Sequence, residues 1–126
     1  MADTEKITIN MSVVDLGRTD LLVEQGFYSN RTDFIRTAIR NQLNAHAKDI
    51  MDTVNRRAFV VGVLVYDNED LEEFIYKNQR LDIRVVGMLV LHPDVKPEVA
   101  DQAIGSLNVF GVFRASKAVK QVLENR

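Results

Sequence analysis

Residues 5–12 alternate polar and apolar side chains, a period of two that predicts a β-strand. The polar side chains within this segment fall on one face: Lys6, Thr8 and Asn10. The apolar side chains fall on the other face: Ile7, Ile9 and Met11. Lysine donates hydrogen bonds to guanine, and asparagine forms paired hydrogen bonds with adenine. Threonine can contact either base. The spacing therefore predicts a strand that can recognise the edges of bases.

One short strand cannot be stable alone, because its backbone donors and acceptors are unpaired on both edges. The first 45 or so residues are also too few to bury a self-sufficient core. Both problems disappear if two chains pair their strands antiparallel and interlock their helices. The polar faces of the two strands then lie side by side, and a two-stranded ribbon of this kind fits the major groove of DNA.

The segment from about Asp15 to Gln25 changes to a helical period, and Gly26 is expected to end this helix. Either Ser12 or Asp15 can cap its start, and both remain open. The inward-facing candidates are Leu16, Leu22 and Val23.

A second helix starts at Ser29 or Asn30, with Asp33 in its first turn. Its apolar stripe repeats every three or four residues: Phe34, Ile35, Ala38, Ile39 and Leu43. The opposite face carries Arg36, Arg40 and Asn41. The helical pattern can continue to about Asn55, which predicts a helical connector to the second half of the chain.

The second half contains a repeat of about 25 residues. Each repeat has an apolar run with a central glycine, and these runs lie at residues 60–65, 85–90 and 109–113. They predict buried strands, and residues 68–79, 97–107 and 117–124 predict helices. Residues 57–126 are thus expected to form β-α-β-α-β-α, and the whole chain an α+β protein. Gly62, Gly87 and Gly111 indicate close approach of a helix or a partner sheet.

All the helices of such a domain lie on one face of its sheet, so the other face is left bare. A bare apolar face predicts self-association.

Residues 4–46 resemble the ribbon-helix-helix family of DNA-binding regulators (CopG/Arc/MetJ type) in the strand, the glycine and the Ser-Asn-Arg-Thr-Asp start of the second helix. The resemblance implies an intertwined dimer in which Lys6, Thr8 and Asn10 read bases. It also implies that Ser29, Asn30 and Arg31 hold a DNA phosphate at free backbone N–H groups. Arg31 has an alternative role, an ion pair with Asp33 or with a carboxylate of the partner chain.

The C-terminal half resembles, more weakly, the regulatory domains of nickel-responsive members of that family. The positions of their ligands are occupied here by Gly87, Leu89 and Val95, none of which binds a metal. The chain has no cysteine, and its two histidines, His46 and His92, are far apart. No nucleophile lies in an activated motif, so we expect no metal, no cofactor and no enzymatic activity.

The formal net charge is −2, so contact with DNA must come from a small, locally organised surface. No run of about 20 apolar residues and no secretion signal is visible, which predicts a cytoplasmic protein. The expected domains are a DNA-binding and dimerisation domain (1–48), a helical connector (49–56) and an oligomerisation or regulatory domain (57–126).

The function that these expectations favour is a transcriptional repressor, a homodimer joined into a tetramer or higher oligomer through residues 57–126. Two alternatives stay open: an antitoxin with the same DNA-binding fold, and a protein-interaction module that does not bind DNA.

Overall fold

The computed structural model describes residues 4–126, which divide into two compact units. We call Lys6–Thr53 the N-terminal unit; the C-terminal unit consists mainly of Val54–Arg126. The polar start Met1-Ala-Asp, on which the expectation of no secretion signal rested, lies outside the described residues. Within residues 4–126, every helix is too short or too polar to cross a membrane.

Residues 4–12, which we call the arm, form neither helix nor strand, and the first strand of the chain begins at Val60. The strand expected at residues 5–12 is therefore not confirmed in the single chain. A strand is defined by the ladder of hydrogen bonds that it shares with a neighbour, and the N-terminal unit contains no second strand. Ile7 and Ile9 are 71% and 60% exposed, so the apolar face of the arm is uncovered.

Three helices follow the arm: α1 (Val13–Glu24), α2 (Arg31–Ala45) and α3 (Ala47–Arg56). The Ser12 hydroxyl accepts hydrogen bonds from the backbone N–H groups of Val14 and Asp15, so Ser12 is the cap of α1. His46 interrupts the helical run between α2 and α3. The expected helical connection is present, but it consists of two helices instead of one.

Gly26 terminates helix α1, as expected, and lies two residues after the last helical residue, Glu24. Gly26 has a φ of +86°, a left-handed conformation that glycine adopts without a steric penalty. Its N–H bonds to the carbonyl of Val23, and the N–H of Phe27 bonds to the carbonyl of Leu22. This pair of bonds satisfies the carbonyls at the helix end, the arrangement known as the Schellman motif.

The C-terminal unit has the predicted order of strands and helices. The elements are β1 (Val60–Tyr66), α4 (Asn68–Tyr76), β2 (Leu81–Leu91), α5 (Pro97–Ala103), β3 (Ile104–Arg114) and α6 (Lys117–Val122). The strands are parallel and lie in the order β1-β2-β3. Helix α5 is shorter than expected because Ile104, which is fully buried, already begins β3.

One face of this sheet packs against the helices. The buried core includes alternate residues of β2 and residues from all three helices: Ile83, Val85, Leu89, Leu91, Leu71, Ala100 and Val119. The opposite face, which we call the open face, carries apolar side chains that are 42–63% exposed: Val61, Val63, Val65 and Phe110. The helices thus cover only one face of the sheet.

The glycines of the three strands lie side by side in one row. Gly62 pairs with Gly87, and Gly87 pairs with Gly111. A Cβ atom on Gly87 would lie 2.1 Å from the carbonyl oxygen of Gly62, and one on Gly111 would lie 2.0 Å from that of Gly87. For Gly87 and Gly111, the expectation that a helix or a partner sheet requires the glycine is therefore wrong, because the backbone of the adjacent strand excludes a side chain there. A Cβ atom on Gly62 would meet no atom within 4 Å in the described chain, so the expectation stays a prediction for that glycine.

We expect Gly87→Ala to destabilise the C-terminal unit by at least about 2 kcal/mol, because its Cβ would clash with a carbonyl that the strand ladder holds in place. Gly105→Ala is the control in the same sheet, since its Cβ would come no closer than 3.4 Å to other atoms. Its effect should stay within about 1 kcal/mol. Urea unfolding followed by circular dichroism measures both variants, and equal stability of the two would contradict the steric explanation.

Candidate nucleic-acid interface

The arm carries the three residues expected to read bases. Lys6, Thr8 and Asn10 are all exposed, and their side chains form no hydrogen bond with the described part of the chain. They immediately precede the Ser12 cap, so the start of α1 fixes where the arm ends. Their donors and acceptors are free to bind another molecule.

The start of α2 is a short network of capping hydrogen bonds. The side-chain oxygen of Asn30 accepts a bond from the N–H of Asp33 at 2.8 Å. The carboxylate of Asp33 accepts a bond from the N–H of Ser29 at 2.9 Å. The structure thus uses the N–H of Ser29 internally. The backbone N–H groups of Asn30, Arg31 and Thr32 find no acceptor in residues 4–126.

Tyr28 and Phe34 hold the turn that leads into α2. Their rings meet edge to face, with centroids 5.1 Å apart and an interplanar angle of 88°. Apolar contacts across a helix start fix the direction in which the chain enters the helix. This contact supports the position of the three free N–H groups that follow.

Arg31 forms a two-pronged ion pair with Asp20 of α1. Its Nε and Nη2 atoms each lie 2.8 Å from one carboxylate oxygen of Asp20. The hydrogen bond from Arg31 lowers the pKa of Asp20, and the same bond raises the pKa of Arg31. The intramolecular partner of Arg31 is thus Asp20, and Asp33 is occupied by the cap. The guanidinium joins α1 to α2 and stays about half exposed.

Sequence reasoning did not identify Asp20. It lies eleven residues before Arg31 on another helix, and no spacing rule connects the two. The charge around the start of α2 is consequently lower than an isolated arginine suggests, because the carboxylates of Asp20 and Asp33 lie beside it. Residues 6–53 contain six Lys or Arg and six Asp or Glu. The polarity of the free N–H groups, and not a basic field, is what favours an anion at this place.

The N-terminal unit buries very little. Among the described residues, its one buried side chain is that of Thr19, whose hydroxyl donates to the carbonyl of Asp15. No residue of α2 or α3 is buried. Apolar side chains that are 40–82% exposed occur along all three helices: Val13, Val14, Leu21, Ile39, Leu43, Ile50 and Met51. Such a surface needs a second chain to cover it.

The described residues offer no site for a metal ion. No group of three or more histidines and carboxylates converges within residues 4–126. Each histidine lies beside a single carboxylate. The Nδ1 atom of His46 is 3.5 Å from an oxygen of Asp49, and the Nδ1 atom of His92 is 3.0 Å from an oxygen of Asp94. The carboxylate of Asp70 bonds to the N–H of Asp67, and that of Asp67 bonds back to the N–H of Asp70, so these two carboxylates cap α4.

The C-terminal unit contains a polar groove of about 440 Å³ that includes Arg56, Arg57 and Arg84 in its lining. Arg84 already binds the carboxylate of Asp82 at 2.9 Å and the carbonyl of Arg57 at 2.9 Å. The guanidinium of Arg57 lies over the ring of Phe59, 4.9 Å from its centroid. Two of these three arginines therefore have partners within the unit.

A family model described as the ribbon-helix-helix transcriptional regulator family matches residues 2–120 of the chain. No curated protein matches the chain. No solved structure matches it either. The family match extends well beyond the arm and the two helices, and it includes most of the C-terminal unit.

Ile39→Glu should prevent self-association of the N-terminal unit. Ile39 is 45% exposed in the single chain, and burial of a carboxylate at a chain–chain contact is strongly unfavourable. We expect the dissociation constant of the dimer to rise by about 100-fold or more. Asn41→Glu, which adds the same charge to the opposite face of α2, is the control. Sedimentation equilibrium of both variants measures the effect, and identical association constants would argue against a contact at Ile39.

Asp20→Asn should make the protein less stable at neutral pH, because it removes the ion pair with Arg31. The pKa of Asp20 is lowered in the folded chain, so its stabilising effect is present above the ordinary aspartate pKa of about 3.9 and is lost as the pH falls through the lowered value. The stability difference between the two proteins should therefore shrink on acidification. Urea midpoints at pH 7 and pH 3 test this, and a constant difference would exclude the ion pair as its cause.

Proposed function

Because the chain belongs to the ribbon-helix-helix transcriptional regulator family, which binds DNA as dimers, we propose that it is a sequence-specific repressor. In this proposal the arms of two chains pair antiparallel and enter the major groove as a two-stranded ribbon. One observation supports it most directly. The arm exposes an apolar face and a polar face, and the helices that follow it have no core of their own.

Dimerisation explains the exposed apolar surfaces together. Ile7 and Ile9 of each arm would close over the helices, where Ile39 and Leu43 also lack cover in one chain. Pairing of the arms supplies the missing hydrogen-bond partners of both strands at the same time. The polar face is then turned outward, toward the DNA.

Base readout is assigned to Lys6, Thr8 and Asn10. Two chains bring six such side chains together on one ribbon. Lysine is suited to guanine and asparagine to adenine, while threonine is permissive. The absence of internal hydrogen bonds at these side chains supports this role, since no bond within the described chain has to be broken on binding.

Phosphate contact is assigned to the start of α2, at Ser29, Asn30 and Arg31. The free N–H groups of Asn30 and Arg31 are the donors in this proposal, and the side chain of Ser29 supplements them because its N–H is occupied by Asp33. The Arg31 guanidinium would have to share its bonds between Asp20 and a phosphate. These contacts would position the ribbon without reading sequence.

The C-terminal unit is assigned to assembly of dimers into a tetramer or higher oligomer. Its open face carries the exposed side chains of Val61, Val63 and Val65, which favour contact with another subunit. Two linked dimers would bind two half-sites with an affinity raised by their effective concentration. A regulator of this size bound at a promoter represses by occupying the DNA.

The antitoxin alternative receives less support. Antitoxins of this kind bind their toxin through a tail that is disordered when free. Here Val54–Arg126 has a buried core that contains Leu71, Leu89 and Ile104, all fully buried. A packed unit of this kind fits a regulatory or assembly domain better than a tail that folds on a toxin.

Lys6→Ala and Asn10→Ala should each weaken specific DNA binding, because each loses hydrogen bonds to a base edge. A lost bidentate contact is worth about 1–3 kcal/mol, or about 5- to 150-fold in affinity. Lys77→Ala, which removes an exposed lysine just after the end of α4, is the matched control and should leave affinity unchanged. The measurement is an electrophoretic shift assay at fixed salt with DNA that the wild-type protein has selected from a genomic pool.

Unchanged affinity of both arm variants would refute the ribbon assignment. A protein that selects no DNA at any salt concentration would refute the DNA-binding role and favour the protein-interaction alternative. The affinity of the wild-type protein for DNA should fall steeply as the salt concentration rises, because phosphate contacts release counterions.

A further inference from the structure

The edge strand β1 lacks two of the common features that protect a free edge. Its seven residues, Val60–Tyr66, contain no charged side chain and no proline. Natural sheets protect their edges with lysine, proline, bulges or a covering segment, because an unpaired apolar edge recruits other strands. Three of its valines, Val61, Val63 and Val65, are 42–63% exposed. Strand β1 thus has the composition of a strand that is paired on both sides.

The other edge of the sheet belongs to β3, and the row of glycines makes the two edges complementary. The carbonyl of Gly62 points toward the place where Gly87 lacks a side chain, and the carbonyl of Gly87 points toward Gly111 in the same way. Each strand therefore presents a carbonyl to the next strand and a bare Cα to the preceding one. The two edges lack such a neighbour. No atom lies within 4 Å of the position that a Cβ atom on Gly62 would take, and no strand follows β3 to receive the carbonyl of Gly111.

We propose that β1 of one chain pairs in parallel with β3 of a second copy, with Gly62 opposite Gly111. This contact repeats the geometry that the sheet already uses twice, between β1 and β2 and between β2 and β3. The three glycines share positive φ values of 148°, 140° and 125°, so the strands have the same local shape and a further strand fits beside them. Repeat units stack in this way when each presents matching surfaces to its neighbours.

A further copy at each edge removes both free edges of the sheet, so the pairing continues the sheet from one copy to the next. The helices cover the face of the sheet opposite to the open face, so they do not obstruct a strand that is added at either edge. A face-to-face stack of two sheets, by contrast, would cover the valines but leave the apolar edge of β1 unpaired.

The pairing deepens the self-association proposed above for the C-terminal unit and does not depend on DNA binding. It makes a specific prediction about which residues are neighbours across the contact. If Gly62 lies opposite Gly111, then Val63 lies opposite Val112 of the second copy. Within one chain these two positions are separated by β2, about 10 Å at two strand spacings, which exceeds the reach of a disulfide.

The test is oxidative cross-linking of the full-length chain, which has no native cysteine and therefore no background. The double variant Val63→Cys with Val112→Cys should form covalent dimers and larger multimers on a non-reducing gel after copper–phenanthroline oxidation. The single variant Val63→Cys should not. Val63→Cys with Asn108→Cys is the matched control, since position 108 is displaced by four residues, about 13 Å along the strand. Val61→Cys with Phe110→Cys is a second in-register pair in case the first disturbs folding.

Covalent dimers from both in-register pairs, and from neither control, support the proposal. Cross-linking of the single variant Val63→Cys would overturn it, because it would place β1 against β1 or the two open faces against each other. Absence of cross-linking in both in-register pairs would overturn it as well, provided that circular dichroism shows both variants folded. Electrophoretic shift assays on the reduced variants show whether DNA binding is intact. If the strands do not cross-link but DNA is still bound, the edge contact is rejected and the proposed DNA-binding role is not.

Discussion

The N-terminal unit depends on one constraint, the shortage of apolar side chains that a single copy can bury. Its helices form for local reasons, since Ser12 caps α1, Gly26 ends it and Asn30 caps α2. Local signals of this kind are worth about 1 kcal/mol each and do not hold helices together. Packing has to do so, and within one copy of this unit only Thr19 is buried. Folding of this unit is therefore linked to association, and the surface that would face DNA exists in full only after two chains have met.

The C-terminal unit, in contrast, buries a core within a single chain. Leu71, Val85, Leu89 and Ile104 are fully buried within one chain, so its helices and sheet already form a core. What remains exposed is the open face and the strand edges. The N-terminal unit thus exposes apolar side chains because it has no core of its own. The C-terminal unit has a core but exposes one face and both edges of its sheet. Separate contacts with other chains can cover the two surfaces.

Periodicity and turn chemistry predicted most of the fold, because those signals are local. The alternation of apolar runs and helical patterns predicted the order of the C-terminal elements, and Gly26 predicted the end of α1. Features that depend on distant residues were not accessible. The pairing of Arg31 with Asp20 joins two helices across eleven residues, and the early start of β3 at Ile104 depends on core packing. The reason for Gly87 also lay in a neighbouring strand, and the pairing proposed for the arm would require a second molecule.

The row of glycines has a consequence for how the sheet finds its alignment. The strands are so alike in their valines and leucines that a slide by two residues would keep every apolar side chain on its proper face. Such a slide would bring Val85 or Leu89 beside Gly62, where the local backbone shape suits only a residue without a Cβ atom. Hydrophobic patterning alone would tolerate several alignments of these strands. Three positions that lack side chains select one of them.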